Sequence, residues 1–105
     1  MLGELEQLVL LAVLRTNGEA YGVPIRDDLM ARAGRDVSLG SVYNALAGLE
    51  AKGLLTSAVG DPTPERGGRR KRLYAATTAG RAAARETIGA MRAMARGLDL
   101  GLEPR

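Results

Sequence analysis

The chain has 105 residues, enough for one domain; 46% of them are hydrophobic, and its few aromatics (3%, all Tyr) leave any core to Leu, Val, Ala and Met. It holds no cysteine and no histidine, which excludes disulfides, a thiolate nucleophile, and the commonest general base and metal ligand together. The net charge of +3 is unevenly placed: residues 1–60 carry five Lys/Arg against seven Asp/Glu (−2), residues 61–105 ten against five (+5), and five of those ten lie within Arg66–Arg72.

The first helix is predicted over about Gly3 to Arg15. Glu4 and Glu6 fall in its first turn, where negative charge suits the helix dipole. From Leu8 to Leu14 every residue is apolar, so one side is expected in the core and another against a partner. A chain this short gains stability readily from a subunit interface. The run is far below the roughly 18 residues that a spanning helix needs. It follows two glutamates instead of a basic segment, so it does not read as a signal peptide, and cytoplasmic residence is expected. Asn17-Gly18 ends the helix.

The second helix runs from near Val23, with Pro24 in its first turn, to Ala33. Ile25, Leu29, Met30 and Ala33 form its apolar stripe, and Gly34 ends it. Ser38 is a good N-cap for a third helix from Leu39 to about Lys52, whose stripe is Leu39, Val42, Leu46 and Leu49. Leu54 to Val59 reads as a strand, and about Arg69 to Ala76 as a second, giving a hairpin with a long basic tip. Thr77 or Thr78 caps a last helix to about Arg96. Its residues Ala84, Ile88, Met91, Ala95 and Leu98 recur as a heptad-like seam, expected at a dimer interface together with Leu8 and Leu11.

The fold class expected from this order is mainly α with a small β-hairpin. It is a winged helix-turn-helix over residues 1–77, followed by a C-terminal dimerisation helix and tail over 78–105. In such an arrangement the third helix enters the major groove of DNA. Its face opposite Val42 carries Gly40, Asn44, Ala47 and Ala51, flanked by Ser41 and Gly48 on one side and Tyr43 on the other. Small residues admit base edges, and Asn44 suits a bidentate contact to adenine. The same face equally describes a plain solvated surface. The basic stretch Glu65 to Arg72 favours a polyanion, because five cations in seven residues repel one another unless neutralised. A solvated loop or a membrane-surface patch is the competing use, but the position directly after a candidate recognition helix favours DNA.

Catalysis has little support: Asp27-Asp28 is the only adjacent acid pair, and neighbours on a helix point about 100° apart. No cofactor and no metal site are expected. The alternative from another class is a winged-helix interaction module that uses its basic wing on an acidic protein or RNA. An apolar effector pocket lined by Leu8, Leu11, Met91 and Met94 is conceivable, since Met gives an adaptable wall, but plain interface packing explains those residues more simply.

The ordered set of Ala20-Tyr21-Gly22-Val23-Pro24-Ile25, Val37-Ser38-Leu39-Gly40-Ser41-Val42-Tyr43-Asn44-Ala45-Leu46, Leu49-Glu50, Gly53-Leu54-Leu55, Gly67-Gly68-Arg69-Arg70-Lys71-Arg72-Leu73-Tyr74 and Thr77-Thr78-Ala79-Gly80-Arg81 resembles the PadR family of transcriptional regulators, in its compact branch with a single C-terminal helix. The resemblance spans Leu2 to about Leu98. It implies a homodimer that binds operator DNA, usually as a repressor, and releases it to a small molecule. It further implies Ser38, Ser41, Tyr43 and Asn44 as recognition-helix contacts, Tyr21 as a phosphate contact or a support for the third helix, and Arg66, Arg69, Arg70 and Lys71 as the wing. Two departures stand out. Leu73 and Ala76 are smaller than the residues common there, and the absence of Trp argues against a flat aromatic effector.

Overall fold

The structure, a computed structural model, describes residues 2–60 and 71–101. Its elements are α1 Glu4–Leu14, α2 Gly22–Ala33, α3 Leu39–Ala51, β1 Leu55–Val59, β2 Arg72–Ala76 and α4 Thr78–Ala95. Local chemistry sets their ends. Gly34 takes the left-handed conformation (φ 65°) and its amide donates to the Met30 carbonyl, so α2 stops where an L side chain would be strained. The Ser38 hydroxyl accepts the Ser41 N–H at 3.0 Å and opens α3.

The core joins Val9, Leu10 and Val13 of α1, Ile25 and Leu29 of α2, Val42, Leu46 and Leu49 of α3, and Leu55 and Tyr74 of the hairpin. Burial pushes the Tyr74 hydroxyl above its usual pKa, and the Glu50 charge pushes the same way, so it stays neutral. On α2 the buried stripe is narrower than expected. Met30 and Ala33 are exposed, because α2 packs one edge into the angle between α1 and α3 and turns its far side to solvent.

The strands pair antiparallel with Ser57 opposite Tyr74 and Val59 opposite Arg72. The Gly60 amide donates to the Lys71 carbonyl at 2.7 Å and prolongs the ladder. On the outer edge of β2 the Tyr74 amide donates to the Ala20 carbonyl at 2.8 Å, which fastens the wing to the segment before α2. The part of the second strand expected at Arg69 and Arg70 lies outside the described residues. After Ala84, α4 leaves the body: every residue from Gly89 to Gly101 is exposed.

The first turn of α1 grips both flanks of α3. Glu4 forms a two-pronged ion pair with Arg35, in the connector before α3, and Glu6 accepts from the Lys52 ammonium, at its C-cap, at 2.6 Å. The hydrogen bonds and charge of Arg35 hold the Glu4 carboxyl below its ordinary pKa. Because the folded value is depressed, the stabilisation is full above the unfolded value and is lost as pH falls through the folded one. Glu4→Gln is therefore expected to flatten the acid side of the stability profile, by a small amount that salt screens. Urea midpoints at pH 7 and pH 3 check this, and an unchanged pH dependence sinks it.

Candidate nucleic-acid interface

The outward face of α3 presents Gly40, Tyr43, Asn44, Ala47 and Ala51, all exposed, with Ser41 half-buried beside them. Apart from Tyr43 these side chains are short, so a polyanionic groove could approach the helix backbone closely. Gly48 does not belong to this face. A Cβ there would meet the Glu6 carboxylate, so this edge of α3 is turned to α1.

The two serines divide their work. The Ser38 hydroxyl accepts the Ser41 N–H and donates to the Ser41 oxygen at 2.9 Å, so it is occupied as a cap. Among the described residues the Ser41 hydroxyl accepts this bond and donates none. The Tyr43 ring lies against Gly22, where any Cβ would sit inside van der Waals contact of its Cζ and hydroxyl, yet the side chain remains 42% exposed. Tyr43 thus braces α3 on the start of α2 while showing its edge to solvent.

Tyr21 occupies the N-cap of α2 with extended backbone and no side-chain capping bond. Its ring instead lies under the Lys71 ammonium, 4.9 Å from the centroid, a contact of about 0.5–1 kcal/mol at exposed sites. Tyr21, Tyr43 and Lys71 therefore gather around the start of α2, between α3 and the wing root. Arg66, Arg69 and Arg70 lie outside the described residues. Arg72 turns the other way: it donates to the Ser57 hydroxyl at 2.9 Å, and Ser57 donates to Glu50 at 2.8 Å. Gly22 and the Glu50–Ser57–Arg72 chain were not singled out from sequence. Strand alternation, which sends Lys71 and Arg72 to opposite faces, was the available signal for the second.

Away from this face, Leu8, Leu11, Ala84, Ile88 and Met91 line a groove of about 240 Å³ between α1 and α4, with Glu4 at its rim. Met94 is not among its lining residues; it and Ala95 stand exposed on the projecting end of α4, and Leu98, expected in the same helical seam, lies exposed just past the helix, which Gly97 ends with a positive φ. Among the described residues no cluster of acids could hold a metal ion, and no helix is long and apolar enough to cross a membrane.

The PadR-like family of transcriptional regulators matches residues 10–86 of the chain. Among solved structures, the chain is similar to a PadR family transcription regulator from Clostridium difficile, with a TM-score of 0.74 and 22% identity over 88% of this chain and 91% of that one. It is similar also to a PadR family transcriptional regulator from Eggerthella lenta (TM-score 0.69, 25% identity, 94% of this chain and 84% of that one). A transcriptional regulator from Clostridium thermocellum matches at a TM-score of 0.70 and 18% identity, over 87% of this chain and 85% of that one. No curated protein matches the sequence at a significant level.

Proposed function

Because the chain belongs to the PadR-like family of transcriptional regulators, we propose that it is a sequence-specific DNA-binding repressor acting in the cytoplasm as a homodimer. Residues 1–77 form its DNA-binding unit and 78–105 its dimerisation helix and tail. The observation that carries this reading is the continuous surface formed by the small-faced α3, the Tyr43 edge and the Tyr21–Lys71 contact at the wing root. On this reading Asn44 and Ser41 face base edges, Tyr43 adds a contact at the groove wall, and Lys71 with Arg66, Arg69 and Arg70 neutralises phosphates. Ser38 serves chiefly by capping α3.

Selection of bound duplexes from a random pool tests the reading, with an inverted repeat as the expected winner. On that duplex log K should fall steeply with log salt, and Lys71→Gln should shallow the slope by roughly one unit. Asn44→Ala should leave the slope alone and cost roughly 1–3 kcal/mol of discrimination at one base position. Recovery of no consensus, with binding of an acidic protein or RNA instead, would replace the regulator by an interaction module. A small apolar effector in the α1–α4 groove would release the operator; calorimetry of ligand binding, followed against operator release, separates that use from plain interface packing.

A further inference from the structure

We infer that Glu50, Ser57 and Arg72 form a positioning chain that fixes the angle between the wing and the recognition helix, and that Arg72 serves this purpose instead of contacting phosphate. The inference rests on the DNA-binding reading for its consequence, though not for its geometry. Ser57 is half-buried in β1 and uses its hydroxyl twice, accepting from Arg72 Nη1 at 2.9 Å and donating to Glu50 Oε2 at 2.8 Å. Glu50 lies on the last turn of α3 and Arg72 opens β2, so three bonded side chains run from the helix across one strand to the other. The antiparallel register places Ser57 opposite Tyr74 and Val59 opposite Arg72, so Ser57 and Arg72 share the sheet face that Tyr74 turns to the core. Lys71, one residue earlier, points to the opposite side and lies over Tyr21.

The run Lys71-Arg72 therefore splits by strand alternation into one cation facing outward and one turned back on α3. The Tyr74–Ala20 bond and the buried Tyr74 ring hold the inner part of the hairpin, whereas the Val59–Arg72 pair lies further out. Left untethered there, the hairpin would swing, and ordering it on DNA would cost affinity. Fixing its direction beforehand avoids that cost. The sign of the Glu50 effect is the sharpest consequence. A carboxylate beside the recognition helix that did nothing else would repel phosphates, so its removal would strengthen binding. As an anchor for the wing, its removal weakens binding.

The experiment uses the full chain with Ser57→Ala, Ser57→Thr, Glu50→Ala and Arg72→Gln, titrated on the selected duplex over a range of salt. Ser57→Ala changes no charge. It is expected to weaken binding about threefold to tenfold, the scale of one net hydrogen bond, with an unchanged salt slope, and Ser57→Thr is expected to restore it. Glu50→Ala is expected to weaken binding, and Arg72→Gln to weaken it without shallowing the slope as Lys71→Gln does. The chain has no cysteine, so spin labels at Ala31→Cys and Ala58→Cys, diluted with unlabelled protein, report the wing's position in the absence of DNA. Their pulsed-EPR distance distribution should broaden with Ser57→Ala and recover with Ser57→Thr. An unbroadened distribution, tighter binding by Glu50→Ala, or a shallower slope for Arg72→Gln overturns the inference. Failure of the wild-type chain to bind duplex DNA overturns the functional reading instead, and the label distances still decide whether the chain positions the wing.

Discussion

Met91→Glu is expected to turn a homodimer into monomers and to abolish operator binding while leaving each subunit folded. Met91 is 67% exposed and Met94 80% on the last turns of α4, and Leu98, just past the end of the helix, is 62% exposed. Apolar side chains left bare along one seam, beside a groove lined by Leu8, Leu11 and Ile88, are the surface that a second copy would cover. Burying a Met contributes about 1.5–3 kcal/mol, and a two-fold axis applies each substitution twice. An unpaired carboxylate in the same place adds a desolvation cost. The combined loss is at least about 4 kcal/mol, a thousandfold in the dimer dissociation constant. Two recognition helices must meet one face of a duplex roughly 34–36 Å apart, so a monomer forfeits half of its contacts. Sedimentation and DNA titration check both outcomes, and the volume-conserving Met91→Leu should keep the dimer. Unchanged dimers from Met91→Glu would remove α4 from the interface.

Much of this was readable from local chemistry. Ser38 and Thr77 accept the amides three residues on, and Gly34 and Gly53 take positive φ (65° and 76°), so caps and glycines mark the element ends. The wholly apolar stretch of α1 predicts one side in the core and another against a partner; Val9, Leu10 and Val13 do enter the core, while Leu8 and Leu11 line the groove beside α4. Contacts at long range were not readable. Nothing periodic relates Glu4 to Arg35 or Glu6 to Lys52, which lie 31 and 46 residues apart, and no pattern shows that Tyr43 needs a glycine at position 22. Helical spacing put Met30 in the core stripe because it marks an apolar side without saying how wide a contact the neighbours provide. Composition, likewise, reads Arg66 to Arg72 as one basic run, whereas the strand geometry assigns Lys71 and Arg72 different work.

The largest effect on stability is expected at Gly80, in the first turn of α4. The Thr77 hydroxyl accepts the Gly80 N–H at 3.0 Å and donates to the Gly53 carbonyl at 2.8 Å, while the Thr77 amide donates to the Leu54 carbonyl at 3.1 Å. Drawn in by these bonds, the helix lies so close to the α3–β1 turn that a Cβ at Gly80 would fall well inside contact with the Leu54 carbonyl oxygen. The obstacle is backbone and is itself hydrogen-bonded, so no rotamer change relieves it. Overpacking of this kind costs about 1–3 kcal/mol or more, against roughly 1 kcal/mol gained from alanine's better helix propensity. Gly80→Ala should therefore be destabilising overall, and Gly80→Val more strongly so, lowering Tm by about 5–15 °C at 4–8 °C per kcal/mol for a domain near this size. Gly89, on the same helix, meets no atom within 4 Å in the single chain, so Gly89→Ala should be neutral or stabilising there. Thermal unfolding of the three variants decides the matter, and a Gly80→Ala chain that melts at or above wild type would sink it. The site also bears on function, because the Thr77–Gly80 turn sets the direction in which α4 leaves the winged domain. A variant that survives by tilting the helix should bind the inverted repeat more weakly than its remaining stability alone would allow.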